Sequence, residues 1–363
     1  MNENVPWPGI NGHHRQELPL DQLAELSLGE GKTPLLPARR LAEAVSFSGQ
    51  LFIKNEGLNP TGSYKDRGMA VAVAAGLQAG SNGIVCPSLG NAGASAAAYA
   101  ARAGLPCIII VPEDVLLQGG TLQAQMYKAL VVAVQGSYED CLELARLVAE
   151  NHGYTLINSL NPYYLEGQKT LAYEIWDQMS QPPDYVALPI GEGACITALW
   201  QGFKEYQEQG RSSSSLPRML GFQGRGADPL LVERPIDEPA SVAGEIRVGN
   251  PAHWQGVLDA VEESGGLLCS VSDSEIMEAY RLLASLEGVF CELTGVVATA
   301  GILKLMEQRY FPPQARIVIM ATGHGLKDLG GINSNHEPPV VVNAEITQIE
   351  KVLNTWRSRK LVF

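Results

Sequence analysis

The chain has 363 residues, a formal net charge of −13 and 45% hydrophobic residues spread along its whole length. A chain this long and this apolar supports two ordinary domains with a sizeable core and leaves little room for long disordered regions. Its charge excludes a nucleic-acid binder, because phosphate backbones are held by clustered Lys and Arg, and no such cluster is present; a small anionic ligand needs only a local site.

From about residue 50, short apolar runs alternate with longer helical patterns. Residues 51–56 read as a strand and 65–80 as a helix. The strand at 83–87 is followed by the alanine-rich helix at 91–104, and then by the β-branched run at 106–112. A helix at 121–129, a strand at 130–136 and a helix at 138–153 continue the rhythm, which recurs through 155–159, 166–179, 185–191, 194–207 and 218–224. Strands that are apolar without alternation, each followed by a helix, imply a parallel sheet covered on both faces, and hence an α/β fold. Residues 211–215 and the Pro-rich 233–239 read as surface loops. Residues 271–288 open with Ser and Asp capping candidates and then show helical spacing. A late strand at 316–321 runs into a Gly-containing loop, and 346–356 has the pattern of an amphipathic helix.

Four strand-to-helix or strand-to-loop junctions carry chemistry. In Asn59–Gly68, Lys65 stands at a helix start, where the partial positive charge favours the neutral amine that attacks an aldehyde. Ser88, Leu89, Gly90 and Asn91 form a small-residue turn that lets backbone approach a flat ring, and the Asn amide can donate to a phenolate oxygen. Gly191, Glu192, Gly193, Ala194 and Cys195 open a helix with exposed amides, a ready anion site. That loop lacks both the Gly-Lys-Ser/Thr ending of a nucleotide P-loop and the dinucleotide glycine pattern, so a phosphate without a nucleotide fits best. Thr322 ends the late strand, where its hydroxyl can face a ring nitrogen. His324, two residues on, is a candidate base or a loop-ordering residue.

These segments, in this order, resemble the fold-type II pyridoxal phosphate (PLP) enzymes, and within them threonine synthase. The resemblance runs from Gly31-Lys32-Thr33-Pro34-Leu35 through the Lys65 segment, residues 95–104, 165–170, 217–224, 246–254 and 278–292, to Thr322–Asp328. It implies two α/β domains with parallel-rich sheets, a small mobile one at 50–160 and a large PLP-binding one from 1–49 and 161–363, with PLP in the cleft between them. It implies that Lys65 forms the Schiff base and shuttles protons, Asn91 contacts the ring oxygen, Gly191 to Cys195 cradle the cofactor phosphate, and Thr322 meets the ring nitrogen. Ser88, Gly90 and Asn91, with Asn161, form the implied substrate-binding set. A neutral hydroxyl at the ring nitrogen makes a weaker electron sink, which suits eliminations and replacements along the side chain. The implied reaction is elimination of phosphate from O-phosphohomoserine and addition of water to give threonine. A homodimer is implied by the same resemblance.

The departures fall in the substrate region. Threonine synthases usually carry an Arg after the Asn-Pro that here is Asn161-Pro162, but Tyr163 and Tyr164 follow. A Lys expected before Gln123 is replaced in a stretch holding Gly119 and Gly120. Glu192 and Cys195 stand where the phosphate loop usually has Asn, and Leu293-Thr294-Gly295 replace Pro-Ala-Ser. The loss of a fork-shaped guanidinium removes a contact worth on the order of a few kcal/mol. Arg67, Arg225, Arg247, Lys169 and Lys327 are candidate replacements. The alternative reading is a related elimination or β-replacement, as in cysteate synthase, or dehydration of threonine or serine, on a different small amino acid; a non-catalytic binding relative ranks below both. The six cysteines show no Cys-x-x-Cys pair, no run reaches the length of a membrane span, and no signal peptide is readable. Free thiols, no metal site and a cytoplasmic location are therefore expected.

Overall fold

The computed structural model describes residues 6–19, 26–113, 119–210, 215–328 and 339–359. The loop expected at 211–215 lies, apart from residue 215, outside the described residues. The strands are β1 Leu35–Pro37, β2 Gln50–Asn55, β3 Ile84–Pro87, β4 Cys107–Pro112, β5 Leu130–Val134, β6 Thr155–Leu156, β7 Tyr185–Pro189, β8 Arg218–Gly224, β9 Leu267–Val271 and β10 Arg316–Ala321. The helices are α1 Gly9–His13, α2 Arg39–Ala44, α3 Lys65–Gln78, α4 Asn91–Ala103, α5 Gly119–Met126, α6 Tyr138–His152, α7 Pro162–Met179, α8 Ala194–Glu208, α9 Pro229–Val232, α10 Trp254–Ser264, α11 Asp273–Glu287, α12 Leu293–Glu307 and α13 Ile346–Arg359.

Two sheets form, in the orders β1-β2-β10-β7-β8-β9 and β5-β4-β3-β6. Every pairing is parallel except β1 with β2. The continuous apolar runs have a structural reason. Along β10, Ile317 and Ile319 face one core with α2, α11 and α12, while Val318 and Met320 face another with α7, α8 and α10. In the smaller sheet, Ile84, Cys86, Ile109 and Val111 pack against α3 and α4, and Val85 and Ile110 against α6. The inner strands of both sheets are covered on both faces, as parallel strands require, while the edge strand β5 leaves Leu130 and Val132 exposed.

The structure corrects the expected domain boundary at its first strand. Residues 50–55 were assigned by resemblance to the smaller unit, but β2 pairs with β1 and β10 in the six-stranded sheet, in register from Gln50 with Arg316 to Asn55 with Ala321. Helix α3, which follows it, buries Met69, Val71 and Val73 against the four-stranded sheet's core. The chain therefore crosses between the two sheets in the stretch that carries Lys65.

Local chemistry sets the element ends. Ser137 and Asp140 form a capping box on α6, and Ser272 and Glu275 form one on α11 where capping was expected. Asn161 caps α7 by accepting from the amides of Tyr163 and Tyr164, with Pro162 at the first helical position. Residues Gly330–Phe363 form a separate unit. Within it α13 carries Ile346, Ile349, Leu353 and Trp356 at helical spacing.

A buried ion-pair network crosses the crossover stretch. Arg67, fully buried, donates to Glu56 (Nε to Oε2 2.7 Å, Nη2 to Oε1 2.9 Å) and to Glu174 (Nη1 to Oε1 2.9 Å, Nη2 to Oε2 2.8 Å). Lys54 Nζ donates to Glu174 Oε2 at 2.8 Å, to Gln178 Oε1 and to the Thr33 carbonyl. Burial opposes both carboxylates, yet Arg67 and then Lys54 hold Glu174 well below the usual carboxylate range, and Arg67 does the same for Glu56. Breaking one partner leaves uncompensated buried charge, so Arg67→Ala is expected to lower stability by about 3–5 kcal/mol, read as the shift in a urea unfolding midpoint.

Candidate active site

The carboxyl ends of β2, β3, β7 and β10 lead into the four junctions singled out in the sequence, at the position where open parallel sheets bind ligands. Lys65 is the first residue of α3. The turn before it is stitched to the end of β10: Tyr64 N donates to the Thr322 carbonyl at 3.0 Å, Ser63 bridges Gly323, and His324 N donates to the Gly62 carbonyl at 2.8 Å. Gly62 has φ +90°, a conformation that favours glycine. Asp66 closes the turn by accepting from Thr61 N, Thr61 Oγ1 and Ser95 Oγ, and burial pushes its carboxyl up to about 6.

One cavity gathers Tyr64, Lys65, Asn91, residues 189–196, Glu245, Ile246, Glu292, Thr294 and Thr322. It brings together Lys65, Asn91, Gly191, Glu192, Gly193, Ala194, Cys195 and Thr322 from three elements of the six-stranded sheet and one of the four-stranded sheet. Four sequence candidates are placed outside its lining. Asn161 spends its Oδ1 on the α7 amides and its Nδ2 on the Leu156 carbonyl, so it acts as a helix cap. Ser88 Oγ accepts from Gly90 N at 2.9 Å and Gly93 N at 2.8 Å, which shapes the turn. Gly90, at φ +151°, provides the bend into α4. His324 accepts from Leu326 N through Nδ1 and meets Phe290 edge-on, the loop-ordering role of the two envisaged.

The Lys65 electrostatics run against the expectation from its helix position. Burial lowers its pKa, but the acidic groups around it, Glu245 and Glu192 among them, outweigh that and hold it above the usual lysine value. The helix start is a fraction of a unit charge, and whole carboxylates nearby outweigh it. The acidic side chains Glu245 and Glu292 were not among the sequence candidates; Glu245 directly precedes the Ile246–Trp254 segment and Glu292 closes the 278–292 one. Glu245 Oε1 accepts from Asn91 N, at the start of α4, at 2.6 Å. Glu292 accepts from Asn91 Nδ2 through both oxygens, at 3.0 and 2.8 Å. Burial, and after it Glu245, push the Glu292 carboxyl up to about 8. Glu192 Oε2 accepts from Ala252 N at 3.1 Å and Ser159 Oγ at 3.4 Å, and burial raises its pKa. Its carboxylate is thus engaged by neighbouring loops, and the α8 start, where Gly193 gives no side-chain cap, keeps its amides available to an anion. Burial also pushes the Cys195 thiol up to about 12, so it is neutral.

The residues fit a phosphate-bearing aromatic aldehyde. Thr322 Oγ1 and Asn91 Oδ1 are buried without a hydrogen-bond partner, as polar atoms awaiting a ligand would be. No His/Cys/Asp/Glu group able to hold a metal occurs among the described residues.

The model of the family described as pyridoxal-phosphate dependent enzyme matches residues 26–323. A threonine synthase of Synechocystis sp. is 45% identical over 89% of this chain and 84% of that protein. Those of Mycobacterium tuberculosis and Methanocaldococcus jannaschii are 43% and 40% identical, over 89% and 92% of this chain and 89% and 84% of theirs. Among solved structures, maize serine racemase superposes with a TM-score of 0.72 at 23% identity, over 84% of this chain and 91% of that one.

The Glu292 proton has a readable consequence. Its pKa is about 8 in the folded protein against 4.5 unfolded, so the fold holds the proton more tightly. The associated stability is complete below about 4.5 and is lost as pH rises through about 8. Thermal unfolding across that range is expected to show wild type losing stability relative to Glu292→Gln as pH rises.

Proposed function

The chain belongs to the pyridoxal-phosphate dependent enzyme family, and within it to the threonine synthase group, and from that premise we propose that it is a carbon–oxygen lyase that eliminates phosphate from O-phosphohomoserine and adds water to give threonine. The observation that carries this reading is the meeting of Lys65, the amide-rich start of α8 and the unpartnered Thr322 hydroxyl in one cavity. PLP, bound there, supplies an electron sink for carbanions formed along the amino-acid side chain.

The protein's own groups do the rest. Lys65 Nζ would hold the cofactor's aldehyde and serve as the base that moves protons between substrate carbons. The amides of residues 193–195 would hold the cofactor phosphate. The Thr322 hydroxyl would face the ring nitrogen, a neutral partner that suits elimination over transamination. The Asn91 side chain would contact the ring oxygen. The start of α4, with Gly90 and Asn91 and a turn shaped by Ser88, receives the substrate carboxylate. The four-stranded sheet with α4 to α6 acts as the smaller domain, closing on the six-stranded one to control water. Free thiols at all six cysteines agree with a reducing cytoplasm, and the family resemblance supports a homodimer.

Two experiments test the reading. Lys65→Ala is expected to lose the visible cofactor band and about a thousandfold or more of turnover; unchanged turnover overturns it. Wild-type holoenzyme supplied with O-phospho-L-homoserine is expected to release phosphate and yield threonine, measured by phosphate assay and amino-acid chromatography; a cofactor band that shifts with no threonine formed overturns the choice of substrate.

A further inference from the structure

Glu292 stands at the N-cap of α12, where a side chain ordinarily accepts from the first helical amides, yet it makes no such bond. Its backbone is tied to the loop after β10, with Glu292 N donating to the Gly323 carbonyl at 3.0 Å. Its side chain lines the cavity beside Gly323, where a Cβ would collide with the carboxyl group. There both oxygens lie within hydrogen-bond distance of Asn91 Nδ2, at 3.0 and 2.8 Å. A buried carboxyl that leaves its own helix uncapped to meet one carboxamide has its place set by that carboxamide.

The backbone of Asn91 is fixed separately, by Glu245 Oε1 accepting from its N at 2.6 Å. Its side chain keeps one freedom. The two ends of a carboxamide have the same shape, so a half-turn exchanges Oδ1 and Nδ2 without steric cost. Which end faces Glu292 depends on the proton that Glu292 carries. An ionised carboxylate can only accept, and it takes Nδ2. A protonated carboxyl has an O–H to place, and Asn91 Oδ1, buried without a partner, is the acceptor on that same carboxamide. Burial, and after it Glu245, hold the Glu292 proton up to about pH 8, with Asp328 adding to them and Lys327 opposing. Cys291 and Tyr64, which also face Glu292, are kept neutral by their own burial, and Lys65 lines the same cavity.

Resting on the lyase reading above, we propose that Glu292 is a positioning residue: protonated, it donates to Asn91 Oδ1 and so commits Nδ2 to the cofactor's ring oxygen; ionised, it takes Nδ2 back. Glu292 acts only through Asn91 and has no part in moving substrate protons. Gln at this place imitates the protonated form at every pH, because its Nε2 donates where the carboxyl O–H does.

The test is the dissociation constant of PLP from the apoprotein, read from the visible cofactor band at about pH 7 and about pH 9.5. Comparing wild type with Glu292→Gln at each pH cancels what Lys65 and the cofactor's own phosphate contribute. Below the Glu292 transition the two proteins are expected to bind PLP equally well. Above it wild type is expected to bind about fivefold more weakly than Glu292→Gln, roughly 1 kcal/mol. In an Asn91→Ala background the same exchange is expected to change nothing at either pH. A ratio of the two constants that does not move with pH, or one that still moves without Asn91, overturns the positioning role and leaves the lyase reading standing. A wild-type protein that forms no visible band with PLP at either pH overturns the lyase reading, and the positioning role with it.

Discussion

The Arg67 guanidinium is the pivot of this molecule. Its planar donors reach Glu56 at the end of β2 and Glu174 on α7, while Lys54 on β2 shares Glu174. Four charges of balanced sign are taken out of water together, which is tolerable only because each finds several partners at hydrogen-bond distance. The network lies two residues from Lys65 in sequence and fastens the head of α3 to the six-stranded sheet, while the body of α3 packs on the four-stranded one. The position of the reactive amine is therefore set by charge pairing on one side and by apolar packing on the other.

Around that amine, two electrostatic influences compete. Helix starts at α3, α4 and α8 present amides that attract anions. The carboxyl groups of Glu245 and Glu192 already engage the amides at the start of α4 and at Ala252, while burial keeps the Glu292 carboxyl protonated up to about pH 8. The result is graded along the cavity: the α8 amides stay available to a phosphate, whereas the Ser159 and Asn91 ends already hold carboxylates.

The junction residues were legible because their chemistry is local. A Lys after a glycine turn, small residues after β3, a glycine-rich start to α8 and a Thr closing β10 each announce a strand meeting a loop. The roles of Ser88, Asn161 and His324 were not legible, because a polar side chain near a ligand motif looks the same whether it faces a ligand or its own backbone. Asn161 shows the ambiguity: in sequence it neighbours a substrate segment, and in space both ends of its amide are consumed by helix capping and the Leu156 carbonyl.

The α/β class, the parallel strands and the Lys65 segment followed from the sequence alone, since apolar runs and glycine turns act over a few residues. Only the tertiary structure placed β2 in the six-stranded sheet, because a buried strand's partners are chosen by register against β10, some 260 residues away in the chain. Only it separated Arg67, Lys169 and Lys327 into structural and site-facing charges, and drew Glu245 to Asn91. Burial and charge pairing depend on which distant residues meet, and spacing along the chain carries no record of that.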